Sequence, residues 1–197
     1  MQPAYPLRTE RLRLRPVSLD DLEAVHSYRS MPDVARYLPH EPHSREDTIA
    51  TLSKMVEQSG MTELGHWLDL AVEFDELAGA ADSSAVVGEV LLKWDAENAE
   101  LGEVGFAFHP SVQSTGVATE AVTAVLRLAF EQFGWHRVVG ICNSLNLRSA
   151  ALMERVGMRH EATFRQATWF KGGWADVSHY AMLREEWRAQ YGDAASR

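Results

Sequence analysis

The chain has 197 residues, enough for one domain with a sizeable core. Hydrophobic residues make up 46% and charged residues 24%, the balance of a folded, water-exposed protein rather than a disordered or fibrous one. Lys and Arg number 19 against 28 Asp and Glu, and the resulting −9 argues against nucleic-acid binding, which needs clustered cations, while leaving a cationic substrate compatible.

Arg11 to Arg15 (RLRLR) alternates polar and apolar side chains, which predicts a half-buried strand. Ser18 with Asp21, and Ser44 with Asp47, are capping signals before two helices, the second near Arg45 to Glu57. Trp67 to Phe74 and Val86 to Trp94 read as strands, with Asp75 to Ser84 between them as an exposed hairpin loop. Gly102 to His109 is a further strand, stopped by Pro110. Ala118, Ala121, Val122, Val125, Leu126, Ala129, Phe130 and Phe133 follow helical spacing over four turns. Arg137 to Cys142 is a short strand, and Ser149 to Val156 a helix ended by Gly157. Strands near Glu161 to Trp169 and Asp176 to Leu183 flank a Lys171-Gly172-Gly173 turn, and Glu185 to Gln190 closes as a helix. Strands and helices in this order predict a mixed α/β sheet of seven strands with helices on both faces.

The single cysteine, Cys142, cannot form an internal disulfide, and Met1 to Pro6 shows no charged segment followed by an apolar run. No apolar stretch nears the roughly 20 residues of a membrane span, so a cytoplasmic protein without membrane contact is expected. The eight histidines show no metal-ligand spacing, and no metal is expected.

The segment His109 to Ala121 (HPSVQSTGVATEA) places a loop, Gln113 to Ala118, between a strand and a strong helix. Backbone N–H groups at a helix start lack internal partners, and the helix dipole adds a positive end, so the layout suits a pyrophosphate. Gly116 removes a Cβ that would block a phosphate, and Ala118 keeps the next turn small. The loop lacks the Gly-Lys-Ser/Thr of a nucleotide-triphosphate site and the three spaced glycines of a dinucleotide site.

Gln113 to Ala118 resembles the acyl-CoA pyrophosphate loop of the GCN5-related N-acetyltransferases (GNAT). Thr9 to Pro16 (TERLRLRP), Asn146-Leu147-Arg148-Ser149 with Glu154 to Met158 (ERVGM), and Lys171 to Trp174 with Asp176, Tyr180 and Glu186-Trp187 resemble segments of its RimJ/RimL branch. The resemblance covers residues 7 to 190 and implies a single GNAT domain over 1–197. It implies a mostly antiparallel sheet splayed between the strands near Gly102 to His109 and Arg137 to Cys142, with the pantetheine arm in the gap. It also implies acetyl transfer from acetyl-CoA to a primary amine, by direct attack in a ternary complex, with a protein N-terminus as acceptor. A polyamine, aminoglycoside-like amine or amino-acid derivative is the alternative acceptor, and a non-catalytic acyl-CoA sensor a third reading. A homodimer is compatible with the family.

Within that frame Gln113, Ser114, Thr115, Gly116, Val117, Ala118 and Thr119 would hold the cofactor, together with Phe106, Phe108, Asn146 and Ser149. An attacking amine must lose a proton, and Glu103, on the strand ahead of the loop, is the first candidate base. Asp69 and Glu89 on neighbouring strands are alternatives that could line the acceptor cleft, and Tyr180 a further substrate contact. By resemblance the Ala107 amide would hold the oxyanion. Relatives place a proton-donating tyrosine where this chain has Met153, which leaves Ser149 as donor to the leaving thiolate. Cys142 on its apolar strand reads as structural rather than as an acetyl carrier, and His179 as a residue that could face the cleft.

Overall fold

The computed structural model describes residues 3–58, 60–74 and 86–192, so the 75–84 loop lies outside the described residues. The first half runs β1 (Leu7–Arg8), β2 (Leu12–Pro16), α1 (Leu22–Arg29), α2 (Pro32–Ala35), α3 (Arg45–Gln58), β3 (Trp67–Phe74) and β4 (Val86–Trp94). The second runs β5 (Leu101–Phe108), α4 (Val117–Arg127), β6 (Arg137–Asn143), α5 (Leu147–Arg155), β7 (Arg159–Phe170), β8 (Gly173–Leu183) and α6 (Arg184–Tyr191).

The strands form one sheet in the order β1-β2-β3-β4-β5-β6-β8-β7. Every neighbouring pair is antiparallel except β5 with β6. The sheet has eight strands rather than the seven expected, because the two residues of β1 pair with Arg13 and Leu14. The turn between β7 and β8 is tighter than expected, with Gly173 already in β8 and Lys171 and Gly172 at positive φ.

Both expected capping signals hold. The Ser18 N–H donates to Asp21 at 2.8 Å, and Ser44 and Asp47 exchange reciprocal bonds of 3.0 and 3.1 Å at the head of α3. α4 buries Val117, Ala121, Val122, Val125 and Leu126 completely against one sheet face, each large side chain contributing about 1.5–3 kcal/mol. Beyond Arg127 the helix widens into a π turn over Leu128–Gln132, where the Phe133 N–H reaches back to the Leu128 carbonyl. On the opposite face, Val25 and Tyr28 of α1 and Leu52 and Met55 of α3 pack on Ala71 and Ala107. The first helices and the central helices thus cover different faces, and Asp69 of β3 and Glu89 of β4 are buried on the face that α1 and α3 cover.

Candidate active site

β5 and β6 pair only at Leu101↔Arg137, Gly102↔Val138 and Glu103↔Val139. Beyond this third rung each strand follows its other neighbour: β4 holds β5 as far as Gly88↔Phe108, and β8 holds β6 as far as Asn143↔Val177. The two parallel strands therefore part after Glu103, and a cleft of about 1010 Å³ opens there toward the start of α4.

Strand alternation decides which main-chain groups face this gap. The Leu101 carbonyl accepts from Asp95 and the His109 N–H donates to Val87, so odd-numbered residues of β5 turn their backbone toward β4. Ala107, opposite Glu89 in an unbroken register, does the same. The expectation that the Ala107 amide faces the acyl group is therefore corrected: the amides of Phe106 and Phe108 face the gap, while the Ala107 amide is turned toward β4.

The loop after β5 is built from local bonds. His109 Nδ1 accepts from the Ser111 N–H at 3.0 Å, and the Thr115 hydroxyl donates to the Val112 carbonyl at 2.7 Å. Ser114 and Gly116 take left-handed φ values of 63° and 86°, which turn the chain into α4. Gln113, Ser114 and Gly116 line the cleft, as do Ala118 and Thr119 on the first helical turn, whose amides precede the first intrahelical bonds. Thr115 and Val117 do not line it with their side chains: Thr115 is bonded within the loop and Val117 is fully buried in the core.

The loop is braced from behind. The Glu120 carboxylate accepts from the Thr9 hydroxyl at 2.5 Å, the Arg11 N–H at 2.9 Å and Arg11 Nε at 2.9 Å, and Arg11 Nη1 donates to the Thr115 carbonyl at 3.1 Å.

The other wall comes from the start of α5. Asn146 is the N-cap, its Oδ1 accepting from the Ser149 N–H at 3.2 Å. Ser149 also lines the cleft, and its hydroxyl makes no hydrogen bond among the described residues. Met153 is buried against Gly140, where a Cβ would come within 2.5 Å of the Met153 sulfur. The tyrosine position of the wider family is thus core here. Arg36, Arg148 and Arg155 line the same cleft and bring positive charge to an acidic chain. Residue spacing did not single them out, since α2 and α5 meet only in the folded sheet.

The acids lie on the face beneath α1. Glu103 stands at the last rung, and burial raises its pKa against the lowering influence of Lys93 and His179. Glu89 is fully engaged: Arg29 binds both of its carboxylate oxygens and the Tyr28 hydroxyl donates to it at 3.0 Å. Asp69 is buried next to this trio, and burial first, then the Glu89 charge, push it up to about 7 against the pull of Arg29. Tyr180 packs on His160 with ring centroids 5.0 Å apart and does not line the cleft. Burial pushes the Cys142 thiol up to about 11, the opposite of an activated nucleophile. Among the described residues no cluster of three potential metal ligands occurs, and no helix is long and apolar enough to cross a membrane.

The comparisons agree with this architecture. The chain is 30% identical over 182 residues to the uncharacterized N-acetyltransferase YnaD of Bacillus subtilis, covering 92% of this chain and 98% of that protein. A crystal structure of a GNAT-family acetyltransferase from Bacillus anthracis superposes with a TM-score of 0.79 at 29% identity, over 90% of this chain and 98% of that one. Spermidine N-acetyltransferase from Vibrio cholerae, solved with CoA and spermine, shares the fold at a TM-score of 0.72 and 18% identity, over 91% and 99%. The family model of the acetyltransferase (GNAT) domain matches residues 11–159, and the chain belongs to that family, an acetyl-CoA-dependent N-acetyltransferase.

Proposed function

We propose that the enzyme transfers acetyl from acetyl-CoA to a primary amine by direct attack within a ternary complex, and that the acceptor is the N-terminal amine of a protein. The observation that carries the reading is the parting of β5 from β6 after three rungs, beside the loop that opens onto α4. Pantetheine amides can pair with the free main-chain edge of β5 as a strand would. The pyrophosphate then meets the amides of Ala118 and Thr119, with Arg148 and Arg155 at hand for the remaining phosphate charge.

Chemistry follows from the same placement. The amine nitrogen attacks the thioester carbon, and the Phe106 or Phe108 amide stabilises the developing oxyanion. Glu103, made more basic by burial, takes the amine proton directly or through a water. As the carbon–sulfur bond breaks, Ser149 gives the thiolate its proton. Asp69 and Glu89 act on the acceptor side by shaping charge beneath α1 rather than as the primary base, since Glu89 is held by Arg29 and Tyr28. The protein-N-terminus reading rests on the RimJ/RimL-like segments at Thr9 to Pro16, Asn146 to Met158 and Lys171 to Trp187. A small-molecule amine is the second reading, favoured by the shared fold of the Vibrio cholerae spermidine enzyme. Thiol release from acetyl-CoA, followed with spermidine, kanamycin and peptides starting with Ala, Ser or Phe, tests both. Turnover with peptides alone supports the first, turnover with the small amines alone the second, and turnover with none overturns the acetyl-transfer reading.

A further inference from the structure

A second cavity, of about 540 Å³, lies where the tip of β6 meets the β7–β8 hairpin. The Tyr37 side of the loop after α2 belongs to both its wall and that of the cofactor cleft, so the two spaces adjoin at Tyr37. His179 also lines the cavity and, after Lys93, acts on the Glu103 carboxyl. The cavity therefore adjoins the cleft on the same sheet face as Glu103.

Its chemistry is apolar and aromatic. Ile141, Val177, Phe164 and Phe170 line it with Tyr37, and His179 sets the Phe164 ring edge-on at 4.8 Å and 70°. Among the described residues no carboxylate lines it. Several carboxylates around this region are held in ion pairs or hydrogen bonds, Glu89 by Arg29, Glu161 by Arg137, Glu41 by Lys171 and Asp176 by the Gln166 N–H, whereas Glu103 stands beyond the cavity wall as the base. A fixed cation sits at the rim instead. Lys171 donates to the Ala35 carbonyl at 2.8 Å, which ties the hairpin to α2, and its ammonium lies 5.6 Å from the Phe170 ring.

A polyamine carries further ammonium groups a few ångströms from the reacting nitrogen. Here they would lose water against alkyl groups and ring edges in a wall that carries no carboxylate to replace it. A single amine on an apolar body meets none of these costs. Its body buries against Phe164, Phe170 and Tyr37. From this geometry we infer that the acceptor is a monoamine carried on an apolar or aromatic body, and that polyamines are poor substrates despite the acidic surface. The inference rests on the acetyl-CoA reading of the adjoining cleft. The reaction is balanced without a further reagent: the nitrogen–acyl bond forms as the carbon–sulfur bond breaks, the ammonium gives up two protons, of which one is released to water by way of Glu103, and the other makes good the proton that Ser149 hands to the CoA thiolate.

Two sources share this chemistry, a free arylalkylamine and the first residue of a peptide. Calorimetry on protein saturated with CoA, which binds without turnover, separates them and needs no catalysis. The titrants are 2-phenylethylamine, a peptide starting with Phe, and spermidine, each against the wild type and Phe164→Ala; Phe164 is half exposed, so its loss spares the core. At least one aromatic amine is expected to bind about tenfold or more tighter than spermidine, and Phe164→Ala to weaken it by about fivefold to tenfold. Spermidine binding as tightly as the aromatic amines, neither aromatic amine binding, or an unchanged affinity in Phe164→Ala would each overturn the inference. Aromatic binding without thiol release from acetyl-CoA would overturn the catalytic reading and leave the pocket assignment standing.

Discussion

Replacing Gly116 by valine tests the anion loop at the point where it is least free to adapt. The residue sits at a φ of 86°, and a Cβ there would lie 3.2 Å from Arg11 Nη2. Arg11 cannot swing aside cheaply, because Glu120 holds its Nε and the Thr115 carbonyl its Nη1. A β-branched side chain in this conformation costs roughly 1–3 kcal/mol, and the chain relieves the strain by rotating the peptides on either side. Those rotations misdirect the main-chain donors that face the cofactor. Losing one hydrogen bond to a charged group costs about 1.5–3 kcal/mol, or roughly ten- to a hundredfold in affinity. Isothermal titration of acetyl-CoA measures this directly, and thermal unfolding measures the strain, at about 2–4 °C per kcal/mol for a chain of this size. A Gly116→Val protein that folds and binds acetyl-CoA with wild-type affinity would refute the reasoning and remove the loop from the cofactor site.

Three further outcomes are expected. Glu103→Gln should lower kcat by about a hundredfold or more with little change in acetyl-CoA affinity; because burial raises the Glu103 pKa, wild-type activity should fall on acidification at a higher pH than for an ordinary carboxylate, and the variant should lose that limb. Asp69 keeps its proton in the folded protein up to about 7 but loses it in the unfolded chain near 3.8, so its ionisation weakens the fold progressively between these values and fully above them. Asp69→Asn should therefore raise the Tm most at pH 8, by up to a few kcal/mol of stability, with the gain vanishing near pH 4. Cys142→Ala should retain turnover within a few-fold, and rapid-quench mass spectrometry of the wild type should find no acetyl-cysteine, since the thiol is held near 11.

Much of the fold was legible because periodicity is local. β3 and β4 have the expected bounds, and the apolar stripe of α4 lies on the core as its spacing requires. β1 and α2, of two and four residues, are too short for either period to register, while the strand expected near Glu161 to Trp169 is present as β7, longer at both ends. α5 begins at Leu147 rather than Ser149, since the cap is Asn146, a residue the family resemblance had assigned to the cofactor. The loop proposed to hold the cofactor could be picked out from a strand, a glycine and a helix in sequence. The direction of the Ala107 amide could not, because it depends on the register of β5 with β4. Likewise Arg29 gave no local signal, being defined by its contact with Glu89, sixty residues away in sequence.

The anchoring of Arg11 and Thr9 on Glu120 joins the first long strand of the chain to the helix that begins the anion loop. On the proposed reading of the loop, cofactor affinity can therefore be adjusted by residues outside it. A change at Thr9 or Arg11 leaves every donor of the loop in place chemically, yet loosens the strut that keeps them aimed, so natural variation near the amino end of the chain is a route to a weaker or tighter enzyme with an unaltered binding motif.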